Sequence, residues 1–188
     1  MESEKITNTY EHSIPMWDET EKKQTIKKVT HKIETTSKVP KLGVMLVGLG
    51  GNNGSTFVAG ILANKKKTSW ETKNGIQHPN FHGSFTQSAT AHVGFKFDED
   101  SKKLADVYKP IHEIMPMVAP TDFEISGWDI NNANLFDACK RSHVLEPMLV
   151  NQLKPELEKI VPLKSILNQD YIAANQADRV NNVFTGTN

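Results

Sequence analysis

Between Leu42 and Asn64 the chain reads LGVMLVGLGGNNGSTFVAGILAN, and this stretch constrains the fold more than any other. Gly43-Val44-Met45-Leu46-Val47 is an apolar run bounded by turn residues, the pattern of a strand buried on both faces. Gly48, Gly50, Gly51 and Gly54 follow within seven residues. Ser55 and Thr56 are candidate caps for a helix carrying Phe57, Val58, Ile61 and Leu62 on one side. Glycine lets the backbone turn tightly and approach a pyrophosphate, while the unpaired N–H groups of a helix start face the charge. The spacing is GxGGxxG, with the last glycine one residue later than in the common dinucleotide fingerprint. A glycine-rich turn of this kind can also join a strand to a helix and bind nothing.

The remainder reads as one α/β unit with a polar leader. Residues 1–41 are polar and charged. Lys28 to Thr36 is partly alternating and rich in β-branched residues, so this N-terminal arm is either strand-like or disordered. Lys65-Lys66-Lys67 closes the first helix, where cations complement its dipole. The stretch from about 68 to 120 has no clean period and holds many breakers, which makes it an insertion. Within it, Ser84 to Gly94 is rich in hydroxyls and lines either a polar pocket or a surface loop.

Phe123 to Trp128 reads as the next strand, with Asp129 at its end. Asn132 is placed to cap a helix carrying Leu135, Phe136 and Cys139, and Cys139 on that apolar side is core. Pro147 and Pro155 each suit a first helical turn, with Met148, Leu149, Leu153, Leu157 and Ile160 as buried candidates. A loop or short strand after Ser165 and a helical turn around Asn175 to Val180 complete the pattern. The order strand, helix, insertion, strand, helix predicts a parallel sheet: an incomplete Rossmann-type dinucleotide-binding domain over residues 42–188. Two clear strands cannot stabilise a doubly wound sheet, so the chain reads as incomplete or as borrowing strands.

A dinucleotide site needs a carboxylate for the adenosine ribose. Glu71 has the common sequence distance but a poor strand context; Asp129 stands at a strand end and is preferred, with a helix-cap or turn role as its alternative. A carboxylate there repels a 2′-phosphate, which favours NAD over NADP. Gln176 and Arg179 share a helical face and are either ligand contacts or a solvated pair. The 22 basic and 22 acidic residues cancel, which gives no support for a nucleic-acid or anionic-membrane partner. No apolar run is long enough to span a bilayer, the polar start does not read as a signal peptide, and the seven histidines show no metal-ligand spacing. A single cysteine among 188 residues fits a reduced, cytoplasmic setting.

Four segments carry a more specific resemblance. VGLGGNNGST (Val47–Thr56), GSFTQSATAHVG (Gly83–Gly94), SGWDINNANL (Ser126–Leu135) and AANQADRVNN (Ala173–Asn182) resemble, in that order, the myo-inositol-1-phosphate synthase family. The resemblance implies conversion of glucose 6-phosphate to inositol 3-phosphate with a regenerated NAD: oxidation at C5, enolisation at C6, aldol closure onto C1, and reduction. It implies a homo-tetramer. It also implies that Gly48, Gly50, Gly51, Asn52 and Asn53 hold the pyrophosphate, that Asp129 holds the ribose, and that Ser165, Ile166, Gln176 and Arg179 line the cofactor. Family members are more than twice this length, and their second domain supplies the catalytic lysines, so no catalytic residue is named in this chain. A non-catalytic cofactor-binding or subunit-interaction fragment, and a dehydrogenase acting on another sugar phosphate, are the competing readings; the GWDI and AANQ segments disfavour the second.

Overall fold

A computed structural model describes residues 5–168, 170 and 174–184. The chain divides into two compact units, one of Met1–Pro40 with Thr90–Met117, the other of Lys41–Ala89 with Val118–Asn188. Ala173, which opens the fourth motif above, lies outside the described residues.

The second unit holds the glycine turn. Strands β3 (Gly43–Val47), β8 (Glu124–Asp129) and β9 (Leu163–Lys164) form a sheet in the order β3-β8-β9, numbering all strands in chain order. Both pairings are parallel, with Gly43 opposite Glu124 and Trp128 opposite Leu163. Consecutive parallel strands need a crossover, and helix α1 (Asn52–Lys66) begins the one between β3 and β8. Glycine at 127 permits the tight β3–β8 approach: a Cβ there would stand 2.2 Å from the Leu46 carbonyl oxygen. The fold class is therefore α/β with a parallel sheet, as the order of elements predicts.

The core lies among α1 and three later helices, α4 (Leu135–Ser142), α5 (Pro147–Gln152) and α6 (Lys154–Leu157). Val58, Ala59 and Ala63 of α1 meet Leu135, Phe136, Ala138 and Cys139 of α4, with Leu149, Val150, Leu153 and Leu157 closing the cluster. A fully buried leucine such as Leu153 or Leu157 contributes about 2–3 kcal/mol. Cys139 belongs to this core; its thiol donates to the Ser55 carbonyl, and burial pushes its pKa up. Pro147 stands in the first turn of α5 and Pro155 in that of α6.

Three local expectations are corrected. Strand β3 is not covered on both faces: Met45 is 46% and Val47 87% exposed, because the helical layer covers only the side of Leu46. Met148 is 46% exposed, since the buried stripe of α5 runs through Leu149 and Val150 instead. The cap of α4 is Asn134, not Asn132. Its side chain accepts the Asp137 N–H at 2.9 Å and donates back to the Asp137 carboxylate at 3.1 Å, an exchange worth about 1 kcal/mol.

The first unit contains two antiparallel hairpins. Strands β1 (Lys5–Asp18) and β2 (Lys23–Thr36) pair over their full length, from Lys5 opposite Thr36 to Asp18 opposite Lys23. The Asp18 carboxylate accepts the Thr20 and Glu21 N–H groups and shapes the turn. Strands β6 (Thr90–Asp98) and β7 (Lys103–Pro110) form the second hairpin, followed by the short helix α3 (Ile111–Ile114). The stretch between 68 and 120 is thus more regular than its pattern suggests. It also carries a small hairpin, β4 (Trp70–Thr72) with β5 (Gly75–Gln77), and the helical turn α2 (Phe85–Ser88). On β6, Ala91, Val93, Phe95 and Phe97 alternate with His92, Gly94 and Lys96, a strand pattern that the breakers on either side obscure.

Candidate functional site

The site begins where β3 and β8 end side by side. The N–H groups of Gly48 and Leu49 both donate to the Trp128 carbonyl, at 2.8 and 3.0 Å, and so hold the start of the glycine turn against the end of β8. Gly48 has a φ of +84°, a conformation natural to glycine. The Gly51 N–H closes the turn on the Gly48 carbonyl at 3.0 Å. Helix α1 then starts from Gly51 with no side-chain cap. Ser55 and Thr56 therefore do not cap it: the helix begins earlier, and the Ser55 hydroxyl donates back to the Gly51 carbonyl at 2.8 Å. An uncapped start leaves the first-turn N–H groups of Asn52, Asn53 and Gly54 without intrahelical acceptors, next to the positive end of the helix dipole.

Asp129 is 5% exposed and anchors this arrangement. One carboxylate oxygen accepts the Gly50 N–H at 2.8 Å and the other accepts the Asn131 N–H at 2.9 Å. The second bond is a turn closed two residues on, not a helix cap. A carboxylate has lone pairs enough to accept further bonds, so this anchoring is compatible with hydroxyl donors from a ligand. Glu71, the alternative by sequence distance, is exposed on β4 and lines neither hollow described below.

Two hollows flank the turn. The first, of about 480 Å³, is lined by Val47, Gly48, Gly51, Asp129 and Ile130, by Ser165 to Asn168, and by Gln176 and Arg179. The second, of about 630 Å³, lies over Gly48, Gly51, Asn52, Asn53 and Gly54, with Phe57 beyond. Gly50, the remaining residue expected at the cofactor, lines neither hollow and is tied back into the protein. Ser165 and Ile166 arrive on the segment after β9, with Ser165 bridged to Val183. Gln176 and Arg179 lie on a 3-10 turn (Ala174–Arg179), where the Arg179 guanidinium donates to the Gln176 amide oxygen at 2.9 Å. The Arg179 Nε is buried without a hydrogen-bond partner, a donor suited to an acceptor supplied from outside the chain.

Three residues that the sequence reading did not single out hold the site together. Asn131 donates from its side chain to the Arg179 carbonyl at 2.8 Å. Asn182 donates from one amide to the carbonyls of Asp129, Pro162 and Leu163 at 3.0, 3.2 and 3.1 Å. Arg141 donates to the Gly50 carbonyl at 2.9 Å. Only Asn131, two residues past a strand-end aspartate, carried a local signal, that of an Asx turn. Among the described residues no cluster of His, Cys, Asp and Glu could hold a metal ion, and no helix is long and apolar enough to cross a membrane.

Parallel strands ending at a glycine turn, an uncapped helix start facing two hollows, and a buried strand-end aspartate define a dinucleotide-binding α/β module. Residues 42–188 match a family model for NAD binding described as myo-inositol-1-phosphate synthase, and the chain belongs to that family. It is 48% identical over 161 residues to inositol-3-phosphate synthase 1 of Oryza sativa, a match that covers 86% of this chain and 30% of that protein. It is 50% identical over 145 residues to inositol-3-phosphate synthase of Saccharomyces cerevisiae, covering 77% of this chain and 26% of the yeast protein. The crystal structure of inositol-3-phosphate synthase from Caenorhabditis elegans superposes with a TM-score of 0.82 at 39% identity, over 99% of this chain and 36% of that one. The chain thus spans about 30% of the length of the curated relatives it matches.

Proposed function

We propose that this chain holds NAD for an inositol-3-phosphate synthase, an isomerase that converts glucose 6-phosphate to inositol 3-phosphate as a cytoplasmic homo-tetramer. The observation that carries the reading is the pair of hollows meeting at the uncapped start of α1. In this reading the pyrophosphate takes the N–H groups at Asn52 and Asn53 over Gly48 and Gly51. The adenosine half lies in the first hollow, with Asp129 at the ribose and Ser165, Ile166, Gln176 and Arg179 around it. NAD, when bound, supplies reversible hydride transfer. The chain's own part is to bind and orient it: the glycine turn offers donors without side chains, and Asp129 disfavours a 2′-phosphate.

Calorimetric titration tests this. NAD is expected to bind more tightly than NADP, and Gly51→Asp to weaken NAD by tenfold or more, on the order of 1.4 kcal/mol. A Cβ at Gly51 already comes within 3.1 Å of the Gly48 carbonyl oxygen, and the added carboxylate opposes a pyrophosphate. Equal affinity for the two cofactors removes the ribose role of Asp129; an unaffected Gly51→Asp removes the pyrophosphate site.

In this reading the described residues hold the cofactor and take no part in the acid–base chemistry. Enolisation and aldol closure need a positioned acid or base and a cation for the developing charge. Every lysine among the described residues is exposed, and none lines either hollow. The chain alone, supplied with glucose 6-phosphate and NAD, is expected to yield no inositol phosphate by mass spectrometry; product formation would overturn this division of labour.

A further inference from the structure

The Gly50–Gly51 peptide is fixed from both sides. Its carbonyl oxygen accepts from the Arg141 guanidinium at 2.9 Å, and its N–H, that of Gly51, donates to the Gly48 carbonyl at 3.0 Å. The preceding peptide is held by the bond from the Gly50 N–H to Asp129. Arg141 stands in the last turn of α4 and lines neither hollow. Its second contact, 3.4 Å to the Asn131 side-chain oxygen, joins it to the turn that Asp129 closes. The Gly50 carbonyl therefore points at α4 and away from the space where the first-turn N–H groups of α1 are open.

A peptide between two glycines has the widest range of backbone conformations available to any peptide, because neither flanking residue carries a Cβ. Released from Arg141, the Gly50–Gly51 unit is free to rotate. Rotation turns a carbonyl oxygen, the negative end of the peptide dipole, toward an anion site and removes the bond that shapes the turn. Resting on the NAD-binding reading above, we infer that Arg141 is a positioning residue for the pyrophosphate turn: it touches no ligand and acts by holding the Gly50 carbonyl out of the anion site. A lysine in its place reaches one acceptor, where the guanidinium reaches both Gly50 and Asn131.

The test is titration of the full chain and of Arg141→Met and Arg141→Lys with NAD, ADP and adenosine, adenosine being measured by competition. Arg141→Met is expected to weaken NAD and ADP about tenfold, the scale of one charge-assisted hydrogen bond, and to leave adenosine within about twofold. Arg141→Lys is expected to fall between the two. Arg141 is an exposed side chain outside the core cluster, so both variants should fold, and thermal unfolding checks this. Equal losses for adenosine and for the pyrophosphate ligands would assign Arg141 to general support of the fold and overturn the inference. Unchanged NAD affinity in both variants, with the unmutated chain binding NAD, overturns it alone. Failure of the unmutated chain to bind NAD removes the underlying reading as well.

Discussion

Gly54→Ala is expected to abolish measurable NAD binding and to lower the unfolding free energy by about 3 kcal/mol, the upper end of overpacking costs. Gly54 is required for space. A Cβ at this position would stand 2.5 Å from the Leu49 carbonyl oxygen and 2.7 Å from that of Gly48. Both are backbone atoms, so no side-chain rotation relieves the clash. The Gly48 carbonyl also accepts the Gly51 N–H, so displacing it opens the turn beneath the proposed pyrophosphate site. Gly60, one and a half turns further along the same helix, is the control. A Cβ there meets nothing within 4 Å, and Gly60→Ala is expected to stabilise the chain by about 0.5–1 kcal/mol through helix propensity. Urea unfolding of the two variants separates these effects. If Gly54→Ala keeps the stability of the unmutated chain, the close approach of α1 to its glycine turn is not a constraint.

What could be read from residues alone, and what could not, divides by range. The apolar run at Gly43–Val47, the glycines after it and the strand-end position of Asp129 are local features whose meaning follows from backbone conformation and order along the chain. They sufficed for a parallel α/β unit. The helix starts were misplaced because candidate caps stood at more than one position. Asn132 and Asn134 have the same chemistry, and the choice between them depends on where β8 lets the chain turn: the side chain of Asn131 accepts the Ala133 N–H, and Asn134 pairs with Asp137. Ser55 misleads as a cap because a glycine helix start with no side-chain cap is the exception, and the proposed pyrophosphate site uses that exception. Asp129 was legible by position, and its bond to Asn131 two residues on carries the local signal of an Asx turn, but its bond to Gly50 was not legible, since Gly50 lies 79 residues away in sequence. Arg141 lay beyond the reach of the sequence for the same reason: a basic residue in the last turn of a helix is ordinarily a solvated complement to the dipole.

The largest loss of stability is expected at Asn182, where Asn182→Asp should cost about 4 kcal/mol at neutral pH. Asn182 is 7% exposed, and its side-chain amide is shared among the carbonyls of Asp129, Pro162 and Leu163. Its own N–H donates to the Ile130 carbonyl, and its carbonyl accepts the Ser165 N–H. One residue thus ties the ends of β8 and β9 to the segment that brings Ser165 to the first hollow. A carboxylate of nearly the same shape has no N–H to offer, leaves three carbonyls, two of them in buried bonds, facing a negative charge, and must shed its own hydration. Asn182→Ala removes the donors without adding the charge and should cost about 2 kcal/mol. The two variants differ in their dependence on pH. Burial among carbonyls raises the folded-state pKa of the introduced carboxyl above its unfolded value of about 3.9. The charge penalty is therefore full above the folded pKa, shrinks as pH falls through it, and vanishes below the unfolded value. A neutral acid also regains one O–H donor for one of the three carbonyls. Relative to the unmutated chain, Asn182→Asp should recover stability between pH 7 and pH 4, whereas Asn182→Ala should keep a constant deficit. Parallel pH-dependent deficits in urea unfolding would show that the Asn182 amide is not the donor that holds these three carbonyls together.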